Sequence, residues 1–336
     1  MIISSEQQLE DILSQPSEAD IKAMASLEGD LLILGVAGKM GPSLARRARR
    51  ACAKKRIIGV ARFSTPGIER YLQDAGIETI SLDLLEPGAL ARLPDVENVI
   101  FMAARKFGST GNESLTWAMN AWLPGLVAER FRFSKIVAFS TGNVYPLTPV
   151  AEGGASESTP PEPVGEYGQS ALGRERMFEY FSNRYGTQVA LLRLNYAIDL
   201  RYGVLLDVGQ KVFERRPVDL RMGHANVIWQ GDANSICLRS FAHCQSPPFV
   251  LNVTGAETVS IRSVARRFGE RFGIQPLFEG SESATALLSD ASRCHELFGS
   301  PSISLDQMID WIADWIGMGG VTLNKPTHFE VRDGRF

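Results

Sequence analysis

The chain has 336 residues, 44% of them hydrophobic and 22% charged, with a formal net charge of −3. That composition excludes a disordered or low-complexity chain, and the near balance of charge leaves no footprint for nucleic acid or an anionic membrane. The length suits two domains, or one large α/β unit with an appendage.

Residues 1–28 read as one or two polar amphipathic helices, with Ser5 ahead of Glu6 and Ser17 three residues before Asp20 as caps. Leu31-Leu32-Ile33-Leu34-Gly35-Val36 is a short continuous apolar run, the pattern of a strand covered on both faces. The same signal recurs at 57–60, 99–102, 136–139 and 189–192, and helical periodicity fills 43–53 and 114–131. A basic run (Arg46, Arg47, Arg49, Arg50, Lys54, Lys55, Arg56) falls around the first of these helices and reads as its solvated face. Strand and helix alternate, which predicts a doubly wound parallel sheet of Rossmann type with right-handed crossovers.

After about residue 195 the pattern is mixed, with helices at 259–272 and 305–316. Met308, Trp311, Ile312 and Trp315 of the last helix read as the packing of a smaller C-terminal α/β substrate lobe. The expected division is a helical extension at 1–28, a dinucleotide-binding domain at 29–195 and 226–255, and a substrate lobe at 196–225 and 256–336. Four scattered cysteines without a C-x-x-C pair argue against a disulfide framework or a zinc site, so no metal is expected. No signal peptide and no apolar run approaching the ~20 residues of a membrane span are visible, so a cytoplasmic chain is expected.

Gly35-Val36-Ala37-Gly38-Lys39-Met40-Gly41 leaves the first strand and enters a helix. Glycine there serves a tight turn, close approach of the backbone to a pyrophosphate, and close helix–strand packing. The helix start adds free N–H groups and a partial positive charge. Gly35, Gly38, Lys39, Met40 and Gly41 are therefore candidate dinucleotide-binding residues. The second strand ends Val60-Ala61-Arg62-Phe63-Ser64, with no acid to hold a ribose 2′-OH. Arg62 and Ser64 suit a 2′-phosphate, which favours NADP over the alternative, NAD.

The G-x-x-G-x-x-G spacing resembles the extended short-chain dehydrogenase/reductase family, which includes nucleotide-sugar epimerases and dehydratases. The resemblance covers roughly residues 29–255. It implies an adenine contact at Asp83-Leu84, a cofactor-lining turn at Ala103-Ala104, a cofactor-facing cation at Lys106, and a family asparagine at Asn120. Ser140-Thr141-Gly142-Asn143-Val144-Tyr145 matches the family's hydroxyl turn, where Thr141 would hydrogen-bond the reacting oxygen and Gly142 and Asn143 would border the substrate. Dehydratases carry Asp-Glu where this chain has Gly142-Asn143, which removes the proton carriers for water elimination. Tyr167, 26 residues after Thr141 in Tyr-Gly-x-Ser, is the implied proton donor or acceptor.

The family's lysine four residues on, which favours phenolate, is here Ala171. Lys106 and Arg174 are the two candidate substitutes. Arg174 lies within about 20° of the Tyr167 helix face but about 10.5 Å further along the axis. Asn195 follows the sixth strand as an implied substrate contact, and Arg201 suits an anionic substrate group or an ion pair with Asp199. Asp232 would cap a following helix.

The expected activity is hydride transfer at a secondary alcohol of a sugar-like small molecule, by an oxidoreductase or epimerase. The alternative is a cofactor-binding regulator of the same fold without turnover. The resemblance also implies a homodimer, which Trp117, Trp122, Leu123 and Val127 suit as well as they suit an ordinary core.

Overall fold

Seven short segments become one parallel sheet. In the computed structural model, which describes residues 2–335, the strands are β1 (Leu31–Leu34), β2 (Ile57–Ala61), β3 (Glu78–Ser81), β4 (Asn98–Phe101), β5 (Lys135–Thr141), β6 (Val189–Leu194) and β7 (Phe249–Val253). Their spatial order is β7-β6-β5-β4-β1-β2-β3, and every neighbouring pair is parallel. The order reverses at β1, which opens a crevice at the carboxyl edge of the sheet. β1 and β4 are buried at every position, so their sequences read as continuous runs without alternation.

Two helices, α1 (Glu6–Leu13) and α2 (Glu18–Ser26), precede β1. Then come α3 (Gly41–Ala51), α4 (Ile68–Asp74), α5 (Glu113–Trp117), α6 (Leu123–Arg130) and α7 (Gly165–Tyr185). A π-helical segment, Ala118–Trp122, joins α5 to α6. The chain ends with α8 (Val204–Phe213), α9 (Gln230–Arg239), α10 (Ile261–Phe272), α11 (Ser292–Phe298) and α12 (Leu305–Gly317). No described helix is long and apolar enough to cross a membrane.

Alternate residues of the central strands feed opposite faces of the sheet. Leu31, Ile33, Ile57, Ile100 and Val137 pack with α2, α3 and α9, while Leu32, Leu34, Ile58, Val99 and Ile136 pack with α6 and α7. A third apolar cluster joins α8, α10 and α12, and it takes in Met308, Trp311, Ile312 and Trp315 as the periodicity predicts. Ile3, Leu9 and Leu13 belong to this cluster too, so α1 packs into it, whereas Met24 of α2 packs against the sheet.

The basic run is a solvated face only in part: Arg50, Lys54 and Arg56 are exposed, whereas Arg47 and Lys55 are buried. Arg47 is 6% exposed and forms a two-pronged bond with Asp20 of α2 at 2.6 and 2.9 Å. Arg46 pairs with Asp11 at 2.9 Å, and Lys55 donates to the Gly29 carbonyl at 2.7 Å. The acidic first helices cover Arg46 and Arg47 of α3, a long-range match that local charge patterning does not reveal.

Candidate active site

The loop after β1 has the three glycine roles in separate places. Gly35 has φ of +91°, and a methyl group there would stand 2.7 Å from the Ala103 amide nitrogen. At Gly41 a methyl would overlap the Val36 carbonyl oxygen, so glycine lets α3 close on β1. Gly38 is exposed, and the only atom near its missing side chain is the Gly35 oxygen at 3.3 Å. Among the described residues, no backbone carbonyl takes the Lys39 or Met40 amide. An exposed glycine beside the untaken amides of Lys39 and Met40 at a helix start fits a diphosphate.

Lys39 reaches out of this loop toward the second lobe. Its Nζ donates to the Ala197 carbonyl at 2.6 Å and stands 4.4 Å from the centre of the Tyr202 ring. Burial pushes the Lys39 ammonium down to about 8, against the opposing pull of Asp199.

At the end of β5 the Thr141 hydroxyl accepts from the Asn143 amide at 3.2 Å, closing a single 3₁₀ turn. A methyl at Gly168 would stand 2.7 Å from the Asn143 carbonyl oxygen, so the start of α7 lies directly on this turn and brings Tyr167 beside it. On its other side, a methyl at Gly142 would come within 3.2 Å of Asn195 Cγ and of Ser289 Oγ. Thr141, Gly142, Asn143, Tyr167 and Asn195 therefore share one corner of the carboxyl edge.

Two cations approach the same corner. Lys106 Nζ is 5.9 Å from the centre of the Tyr167 ring and 6.0 Å from that of Tyr196, and it donates to the Thr327 carbonyl at 3.2 Å. Burial pushes Lys106 down to about 8. Arg174 is buried and donates to the Phe139 carbonyl at 2.7 Å and to Asn120 Oδ1 at 3.1 Å. Asn120 Nδ2 also donates to Ser170 Oγ at 3.0 Å, which sets the guanidinium at the level of residues 170 and 171. Burial lowers the Arg174 pKa, and the charge partner that most opposes this is Tyr167. Ala171 itself is fully buried against Val144, Tyr145 and Ala155.

Beneath the corner runs a buried polar network that sequence reading missed. Glu175 takes both prongs of Arg193, at 2.7 and 3.0 Å, and accepts from Ser140 Oγ. Arg193 also donates to the Tyr145 hydroxyl at 2.7 Å, and that hydroxyl donates to Asn252 Oδ1 at 2.8 Å. The hydrogen bonds of Glu175 raise the Arg193 pKa against burial. These groups join β5, β6, β7 and α7 under the hydroxyl turn. The sequence signal for them was slight: a lone arginine within an apolar strand and one of three glutamates within a helix.

Residues 31–198 match the NAD dependent epimerase/dehydratase family. The chain belongs to that family. UDP-glucose 4-epimerase from Thermotoga maritima, solved with UDP-glucose, superposes with a TM-score of 0.72 at 16% identity, over 86% of this chain and 99% of the other. UDP-glucuronic acid 4-epimerase from Bacillus cereus, solved with UDP-glucuronic acid and NAD, gives 0.71 at 19% identity with the same coverage. At this identity the likeness is one of fold. No match was found among curated proteins.

The remaining expected positions of the epimerase/dehydratase pattern fall as follows. Arg62 and Asp83 meet at the tips of β2 and β3, where Arg62 Nη1 lies 3.7 Å from the Asp83 carboxylate. Leu84 and Ala103 are buried, whereas Ala104 is exposed. Asn120 lies in the π segment and clasps the Arg105 backbone through both ends of its amide, at 2.8 Å each.

Arg201 is not available to an anionic substrate. Its guanidinium is held by Asp199 at 2.9 Å and by Glu10 of α1 at 2.6 Å. Asp232 is not a cap either: α9 begins at Gln230, and Asp232 instead accepts from Ser302 at 3.0 and 2.6 Å. Leu123 and Val127 are core residues, while Trp117 and Trp122 are 38% and 55% exposed.

Proposed function

We propose that this chain is a nicotinamide dinucleotide-dependent oxidoreductase or epimerase acting at a secondary alcohol of a sugar-like small molecule. The observation that carries the reading is the corner just described. The start of α7, with Tyr167, lies on the Thr141 hydroxyl turn, and the cations of Lys106 and Arg174 approach it.

When bound, the dinucleotide supplies the hydride acceptor or donor. Lys39 and Met40 would hold its diphosphate with main-chain amides, and Gly38 would let it approach the loop. Arg62, exposed and only weakly paired with Asp83, is free to turn to a 2′-phosphate, which favours NADP. Thr141 would orient the substrate oxygen and Tyr167 would exchange its proton. Gly142, Asn143 and Asn195 would border the substrate, and the exposed Trp117 and Trp122 suit the surface of a homodimer.

A cofactor-binding regulator without turnover is the second reading, favoured by Ala171 and its apolar packing. A screen of sugars and polyols, followed by absorbance of the reduced dinucleotide, separates the two. For the enzyme, Tyr167→Phe should lower turnover by about a hundredfold or more while dinucleotide affinity is kept. Absence of turnover with every alcohol, together with retained dinucleotide binding, would favour the regulator.

A further inference from the structure

The last fifteen described residues form no strand or helix, yet they are firmly placed. The Leu323 amide donates to the Arg201 carbonyl at 2.9 Å, and Thr327 bonds Asp207 through both its amide and its hydroxyl at 2.8 and 2.6 Å. Phe329 is 2% exposed and belongs to the second lobe's apolar cluster. Arg332 forks onto Thr285, with 2.7 Å to its carbonyl and 2.7 Å to its hydroxyl.

On the opposite bank, the Thr327 carbonyl accepts from Lys106, and His328 packs 6.2 Å from the Phe107 ring centre. Gly334 then lies against the start of α7. A methyl on Gly165 would stand 2.5 Å from the Gly334 oxygen, and a methyl on Gly334 would overlap the Val164 oxygen. Two glycines with φ of +76° and +71° are thus fitted to each other, two residues before Tyr167. The segment is a strap from the second lobe to the catalytic helix.

Its end fills the space outside the hydroxyl turn. Val331, Arg332 and Gly334 face Asn143, Tyr145 and Leu287 around a cavity of about 20 Å³. That is room for a single water. A ligand of drug or nucleotide size takes a pocket of roughly 300–1,000 Å³. The wall stands against Asn143, which would border an alcohol held by Tyr167 and Thr141.

We infer that the strap sets the substrate class: the seated C-terminal segment restricts the site to a small polyhydroxyl alcohol and excludes a sugar carried on a nucleoside diphosphate. The inference rests on Tyr167 and Thr141 being the reacting corner of the proposed enzyme.

The test is calorimetric titration of UDP-glucose into the dinucleotide-loaded full chain and into a chain ending at Glu330. The shorter chain keeps Phe329 and the Thr327–Asp207 bonds but removes the cavity wall. The full chain should give no saturable binding, and the shortened chain should bind UDP-glucose about tenfold more tightly or better. Saturable binding by the full chain, or equal affinity of the two, overturns the inference.

Loss of dinucleotide binding by both chains would strike the functional reading instead. Should the shortened chain not fold, amide exchange of Phe329 and Val331 in the full chain decides. Continued protection with UDP-glucose present upholds the wall; release of those amides by UDP-glucose overturns it.

Discussion

Lys39 and Lys106 stand where an ammonium is poorly solvated, and both are pushed down from the usual lysine value to about 8. The folded chain therefore sheds these protons near pH 8, while the unfolded chain holds them to about 10.5. Between those values the unfolded state binds more protons, so the free energy of unfolding gains a contribution that rises with pH. Below pH 8 both states are protonated and the contribution is flat. Urea midpoints at pH 7.5 and 9.5, compared between the native chain and the Lys39→Met/Lys106→Met variant, check this. The native chain should show the larger gain at the higher pH, and identical changes in both proteins would refute the assignment.

At the scale of elements, the acidic first helices are clamped to the glycine-loop helix by Asp20 and Arg47. Asp20 also accepts from Ser235 of α9 at 2.6 Å, and together Arg47, Ser235 and the Ser17 amide hold its carboxyl below the usual range against burial. Asp20→Ala should lower stability by about 3–5 kcal/mol, because it leaves the buried Arg47 unpaired. Chemical denaturation measures this, and a loss under about 1 kcal/mol would mean that water reaches the guanidinium.

The caps of these helices were legible: Ser5 and Ser17 both accept from the amide three residues on, at 3.2 Å. What the helices do was not, because their partners lie 27 to 215 residues away in the chain. Strands β1, β4 and β5 announced themselves as apolar runs. Edge strand β3, Glu-Thr-Ile-Ser, has no buried residue and so lacks that signal. β7, Phe-Val-Leu-Asn-Val, was hidden in the mixed region that follows residue 195, although it pairs with β6 along its whole length.

Across the whole molecule, the candidate site lies where the sheet order reverses, and its parts come from well-separated stretches of chain. The glycine loop, the hydroxyl turn and Tyr167 were legible because each is a compact motif whose chemistry demands particular residue types. The Glu175–Arg193 network, the engagement of Arg201 by Glu10 and the C-terminal strap were not. Each depends on pairing across the tertiary structure, and none has a local period or spacing. Left-handed backbone at Phe63, Tyr196 and His328, with φ of +47°, +46° and +53°, was equally invisible in sequence. These residues fall at the tip of β2, beside Asn195 and in the strap, while Arg215, after α8, shares the conformation away from the site.

The measurement that bears most directly on this account is a fluorescence titration of NADPH and NADH against the native chain and its Gly38→Val variant. A side chain at Gly38 meets only the Gly35 carbonyl oxygen, 3.3 Å from its Cβ, so the variant should stay folded, with a lowered melting temperature. Its added methyl groups would stand where the diphosphate is expected, and they should weaken dinucleotide binding about tenfold or more. The native chain should bind with saturation, NADPH more tightly than NADH. A native chain that binds neither dinucleotide, or a Gly38→Val variant that binds as tightly as the native chain, would contradict the account.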